Sequence, residues 1–121
     1  MKRMVFAIGG ALALMMATAW AGESADERAA LRQIVCANPA NITQKLICET
    51  PDLRAMDDEM KEVLDKLMTS IPEDDERARA ALVYSQQRFA HVRRLCQGNL
   101  KCLKRVYAGR LKTLRAKLAA R

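Results

Sequence analysis

No aspartate or glutamate follows Glu76, although thirteen lysines and arginines do. All fourteen acids lie between Gly22 and Glu76 among six basic residues, a formal −8 against +13 from Arg77 onward. Such asymmetry bears on partners and association rather than on fold. Either acidic and basic helices neutralise one another across a bundle, or a basic surface meets an acidic partner. Aromatics are also scarce: beyond Ala21 only Tyr84, Phe89 and Tyr107 remain. A nucleic-acid role, which leans on stacking rings, is therefore disfavoured. No C-x-x-C occurs among Cys36, Cys48, Cys96 and Cys102, which argues against a dithiol redox centre and against zinc knuckles. The one histidine, His91, lies in a basic stretch and reads as a solvated surface residue. No phosphate loop, nucleophile triad or paired-carboxylate site is patterned, so a non-enzyme without metal or cofactor is expected. Strand-like alternation, internal repeats and low-complexity runs are absent too.

What is present begins with an address. Lys2 and Arg3 precede an almost unbroken apolar run from Met4 to Met16, and Ala19-Trp20-Ala21 offers an A-x-A cleavage site before Gly22. This predicts a secretory signal over 1–21, removed from an exported domain over 22–121. The run is short for a span of about 20 residues, so no membrane segment is expected after cleavage. A lipobox would place cysteine directly after the cleavage site, where Gly22 stands instead. A periplasmic or secreted location follows, and in an oxidising compartment four cysteines favour disulfides. Each bridge in so small a domain is worth roughly 2–4 kcal/mol.

The mature composition is Leu, Ile, Val, Met and Ala with few rings, largely helix-forming. Ser24-Ala-Asp-Glu27 is a capping-box pattern that predicts a helix through Leu31, Ile34 and Val35 towards Cys36, ended by Asn38-Pro39. Asn41-Ile-Thr-Gln44 is a second box, opening a short helix to about Cys48; it also fits a glycosylation sequon, discounted because the signal over 1–21 looks bacterial. Thr50 as cap and Pro51 at the first position start a long helix with a stripe of Leu53, Met56, Met60, Val63 and Leu67. Met56 and Met60 on that stripe read as packing rather than soft-metal ligands. Pro72 ends it, and Glu73-Asp74-Asp75-Glu76 place negative charge at the next helix start. That helix carries Leu82, Ser85, Phe89, Val92 and Cys96 at the same spacing. Gly98-Asn99 stops and restarts the chain, and the last helix runs through Leu103, Tyr107, Leu111, Leu114 and Leu118. Gly109 within it either allows close helix approach or merely lowers helix propensity.

Short links argue for antiparallel neighbours. The expected fold is all-α: a small disulfide-stapled antiparallel bundle of three main helices plus short N-terminal ones. Four cysteines allow three pairings. Cys48, Cys96 and Cys102 should gather at one end, an arrangement that favours the two long-range pairings over Cys96–Cys102.

The ordered pattern from about Cys36 to Leu114 resembles the LprI-type lysozyme inhibitor domain, once a domain of unknown function. It comprises Ile47-Cys48, Pro51-x-Leu53, Met56-Asp57-x-x-Met60, Gln86-x-x-Phe89-x-x-x-Arg93-x-x-Cys96 and Cys102-Leu103-x-x-x-Tyr107-x-x-Arg110-Leu111. Phe89 stands where tryptophan is usual, Gln44 replaces the usual glutamate, and Leu64 takes the place of a common tyrosine. The resemblance implies an exported helical domain and, from the name-giving member, inhibition of a lysozyme-type muramidase.

Asp57 and Arg93 flank two apolar stripes and are expected to form a partly buried ion pair between helices, completed by Gln86 or Tyr107. The alternative, a catalytic carboxylate beside arginine, lacks a patterned nucleophile or second carboxylate. Common lysozymes are basic, so contact with one would come from the acidic half. The candidates are Asp57, Asp58, Glu62 and Asp65 on the first long helix, and the turn Glu73, Asp74, Asp75 and Glu76. An alternative partner is an anionic envelope component, lipid, lipopolysaccharide or cell-wall polymer, met by the basic C-terminal half.

Overall fold

A computed structural model describes residues 29–121. The expected signal segment and the Ser24–Glu27 capping box lie outside the described residues. Four helices lie wholly within them: α1 Ile42–Glu49, α2 Pro51–Ser70, α3 Glu76–Leu95 and α4 Leu100–Ala119. They form a small all-helical bundle closed by two disulfides. Among the described residues, no helix is long and apolar enough to cross a membrane.

Local chemistry accounts for the helix boundaries. Asn41 caps α1 by accepting from the Gln44 amide at 2.9 Å, and Gln44 Oε1 accepts from the Ala40 amide at 2.8 Å. Pro51 opens α2, but Thr50 caps by position alone: its hydroxyl turns back to donate to the Leu46 carbonyl at 2.8 Å. Asp75 accepts from the Ala78 amide and Asn99 from the Cys102 amide, each satisfying one of the free N–H groups that every helix start exposes. Between α3 and α4 the chain reverses through Gln97 and Gly98, both at positive φ, a conformation that glycine adopts without steric cost.

Pairings between side chains fix the directions. Asp57, Met60 and Met68 of α2 meet Arg93, Gln86 and Arg79 of α3, so these two helices run antiparallel. Arg93 and Gln86 meet Tyr107 and Arg110, so α3 and α4 are antiparallel too. Consequently α2 and α4 run the same way, with Asp52 beside Lys104, Asp57 beside Tyr107 and Glu59 beside Arg115. The core is aliphatic, from Leu31, Ile34 and Ile47 through Leu53, Met60 and Leu64 to Leu103, Leu111 and Leu114. Burial at about 25 cal/mol per Å² of apolar surface is its main driving force.

Three expectations change. The first helix ends at Ala30 instead of running towards Cys36. Arg32 takes a positive φ of 54°, and Leu31 and Ile34 turn into the core while Val35 stays half-exposed. The carbonyls freed there are claimed from outside: Ala30 by Gln87, Arg32 by Arg93 and Ile34 by Lys61. Tertiary donors thus replace the intrahelical ladder.

The inward face of α3 is also rotated from the expected one. Gln86 and Arg93 occupy it together with Leu82, Phe89 and Cys96, while Val92 is 43% exposed and Ser85 sits at the edge. Polar groups hold core positions here because partners on α2 and α4 satisfy them.

Finally, the long-range disulfide pairings are not formed. Cys36 bonds Cys48, and Cys96 bonds Cys102 across the α3–α4 turn. The left-handed turn brings Cys96 and Cys102 to a Cα separation of 5.5 Å, within ordinary bridging distance. Both bridges still lie towards one end, since Leu46 of α1 stands against Gly98. Gly109, by contrast, has open space around it and allows no close approach.

Candidate functional site

Asp57, Gln86, Arg93 and Tyr107 come together at the centre of the bundle. The Tyr107 hydroxyl donates to Asp57 Oδ1 at 2.9 Å and accepts from Arg93 Nη1 at 3.2 Å. Arg93 Nη1 lies 3.9 Å from the same carboxylate oxygen, so the phenol stands between the charges as well as beside them. Lys61, one helical turn after Asp57, brings its ammonium to 3.0 Å from Oδ2. Gln86 forms an adjoining branch: its Oε1 accepts from Arg110 Nε at 3.0 Å, and its Nε2 faces the Met60 sulfur at 3.7 Å. Arg110 Nη2 also donates to the Ser85 hydroxyl. Phe89 joins the branches, with its ring edge-on to Tyr107 at 5.2 Å and the guanidiniums of Arg93 and Arg110 at 5.4 and 5.8 Å from its centroid.

Burial dominates the electrostatics. It raises the Tyr107 phenol well above its ordinary pKa, opposed by the Arg93 charge and reinforced by the Asp57 carboxylate and its hydrogen bond. Burial likewise lowers Arg110. Among the described residues, no buried side-chain nitrogen or oxygen lacks a hydrogen-bond partner, as a native polar core requires. Asp57 is only 1% exposed. It is therefore out of reach both of a substrate and of a partner surface, and its inclusion among the acids that would contact a partner is corrected. Sequence reading also passed over Lys61, which was signalled by its position four residues after Asp57, and it placed Ser85 on the apolar stripe without joining it to Arg110.

The remaining candidate acids are exposed. Asp58, Glu62 and Asp65 lie along one solvent edge of α2, and the chain then enters the exposed turn Glu73, Asp74, Asp75 and Glu76. Of these seven, only Glu62 is within ion-pair reach of a basic group among the described residues, at 3.7 Å from Lys66. The other edge of α2 is neutralised, Asp52 by Lys104 and Glu59 by Arg115. Among the described residues, cross-bundle neutralisation thus operates on one edge. The outer face of α3 carries Tyr84, Val92 and Leu95, exposed by 43–63%, around Arg88.

A groove of about 480 Å³ separates residues 29–44 from the second half of α3. Arg32, Gln33, Gln44, Gln87, His91 and Arg94 line it, with the guanidinium-bearing Arg93 beneath them. No family model, no curated protein and no solved structure matches this chain.

Proposed function

We propose that this is an exported, non-enzymatic binding protein that inhibits a lysozyme-type muramidase. The reading rests on the resemblance of the Cys36–Leu114 pattern to the LprI-type lysozyme inhibitor domain. The observation that supports it is the exposed acidic edge of Asp58, Glu62 and Asp65 leading into Glu73–Glu76, where Lys66 beside Glu62 is the one cation within ion-pair reach among the described residues. Common lysozymes are basic, and complementary potential accelerates encounter and fixes register. The two disulfides suit an oxidising compartment. The buried network around Asp57 serves in this reading as a rigid frame behind the docking edge, since its groups already satisfy one another.

The test is a turbidity assay of lysozyme with the oxidised protein in molar excess. Slowed lysis is expected, and Asp58→Lys with Glu62→Lys and Asp65→Lys should weaken inhibition at least about tenfold, or about 1.4 kcal/mol. Unchanged lysis at large excess removes the proposal.

A second reading rests on the outer face of α3. Tyr84, Val92 and Leu95 stand exposed around Arg88, and Leu100 and Lys101 are exposed at the start of α4. Apolar side chains interleaved with cations suit an anionic envelope surface. Binding to phosphatidylglycerol vesicles, absent on phosphatidylcholine and weakened steeply by salt, is its expected signature. Salt-independent or absent binding counts against it.

A further inference from the structure

The groove between residues 29–44 and α3 is chemically unlike either exposed face. Its walls carry Arg32, His91 and Arg94, and among the described residues no aspartate or glutamate lines it. Gln33, Gln44 and Gln87 add side-chain amides, each able both to donate and to accept. Among the described residues, the apolar side chains in the wall are three alanines, Ala29, Ala40 and Ala90. Among the described residues, nothing there would hold an acyl chain or a large aromatic group.

The floor is built and held. Arg93 is 4% exposed and anchored from behind by the Tyr107 hydroxyl, with the Asp57 carboxylate next to it. Its Nη2 reaches the Arg32 carbonyl at 3.5 Å, which ties the floor to the wall at the point where the backbone takes a positive φ. Gln87 reaches the Ala30 carbonyl at 3.4 Å and secures the same wall from α3. The Cys36–Cys48 bridge holds the segment against α1.

We infer that this groove is a binding site for a carboxylate-bearing saccharide of one or two rings. Arg32 and Arg94 receive the carboxylate, for which guanidinium is the best-matched side chain. The glutamine amides engage hydroxyl and N-acetyl groups. At about 480 Å³ the groove lies within the roughly 300–1,000 Å³ of small-molecule sites. A wall whose described residues bring cations and no carboxylate selects for an anion, and the amide lining distinguishes a sugar from a lipid headgroup with its chains. The site is independent of the acidic edge of α2, so its fate and that of muramidase inhibition are separable.

The test is a heteronuclear NMR titration of the full oxidised protein, with no lysozyme present, against three probes. These are the N-acetylglucosaminyl-N-acetylmuramic acid disaccharide, neutral chitobiose and inorganic phosphate. The carboxylated disaccharide should shift the side-chain amide signals of Gln33, Gln44 and Gln87 saturably, leaving Ala120 at the far end of the bundle unmoved. Chitobiose should bind at least about tenfold more weakly, and Arg32→Gln or Arg94→Gln should each weaken the disaccharide about tenfold. Both arginines are exposed, so the melting temperature should hold in either variant. Equal affinity for chitobiose would show that the carboxylate is not read. Phosphate matching the disaccharide would reduce the groove to a bare anion site, and the absence of a saturable shift would remove the site altogether.

Discussion

Replacing Asp57 by alanine tests the centre of the fold. The carboxylate is 1% exposed and serves Tyr107 at 2.9 Å, Lys61 at 3.0 Å and Arg93 at 3.9 Å. Its removal leaves Arg93, 4% exposed, with only neutral oxygens as partners among the described residues: the Tyr107 hydroxyl and the Arg32 carbonyl. An orphaned buried charge of this kind costs about 3–5 kcal/mol. Lys61 adds little, because its side chain is 25% exposed and can turn towards water, where such pairs are worth about 0–1 kcal/mol. The partly buried pair expected from sequence implied an intermediate loss; near-complete burial moves the expectation to the full range. A domain of this size has about 5–15 kcal/mol in total. At about 4–8 °C per kcal/mol, the melting temperature should fall by at least about 12 °C. Thermal and urea unfolding followed by circular dichroism would measure Asp57→Ala, Arg93→Met and the double variant. Methionine keeps much of the volume packed on Phe89. The double variant no longer contains an unpaired buried charge, so the losses should fall short of additive by about 1–3 kcal/mol. Additivity within about 0.5 kcal/mol would refute the coupling and, with it, the helix register that brings these residues together.

Tyr107 gives the fold an alkaline limit. Its folded pKa lies above the ordinary 10.0, so the native state holds the proton more tightly, and stability should be intact below about pH 10 and decline above it. Tyr107→Phe, although less stable at neutral pH by about 1–3 kcal/mol, should show a flatter dependence in urea melts taken across that range. Gly109→Ala should stabilise by about 1 kcal/mol, because the glycine is an exposed helical residue with open space where the methyl would stand; a lower melting temperature would contradict this. Opening Cys36–Cys48 or Cys96–Cys102 with paired serines should cost about 2–3 kcal/mol each, given ring closures of 12 and 6 residues in sequence separation. Equal melting temperatures for reduced and oxidised protein would remove that staple argument.

Helix class, helix number and most boundaries were legible in the chain itself. Asn41, Pro51, Asp75 and Asn99 act within one turn of where they stand, and a stripe such as Leu103, Tyr107, Leu111 and Leu114 needs only the helical period. Asp57 and Arg93 were recognisable as a pair because both flank apolar stripes and belong to one ordered pattern. The depth of that pair, and the face α3 turns inward, were decided by the tertiary structure. By periodicity alone Val92 is the better core residue; Arg93 displaces it because Tyr107 and Asp57 arrive from two other helices to satisfy a buried guanidinium. The first helix stops at Ala30 for the same kind of reason, its next carbonyls being taken by side chains as far as 61 residues away in sequence. Disulfide choice likewise waited on geometry, since the left-handed turn at Gln97 and Gly98 is what places Cys96 beside Cys102. Capping, turn chemistry and amphipathic spacing act over a few residues and can be read along the chain. The burial of a charge depends on partners supplied by distant segments, and only the folded bundle brings them within hydrogen-bonding distance.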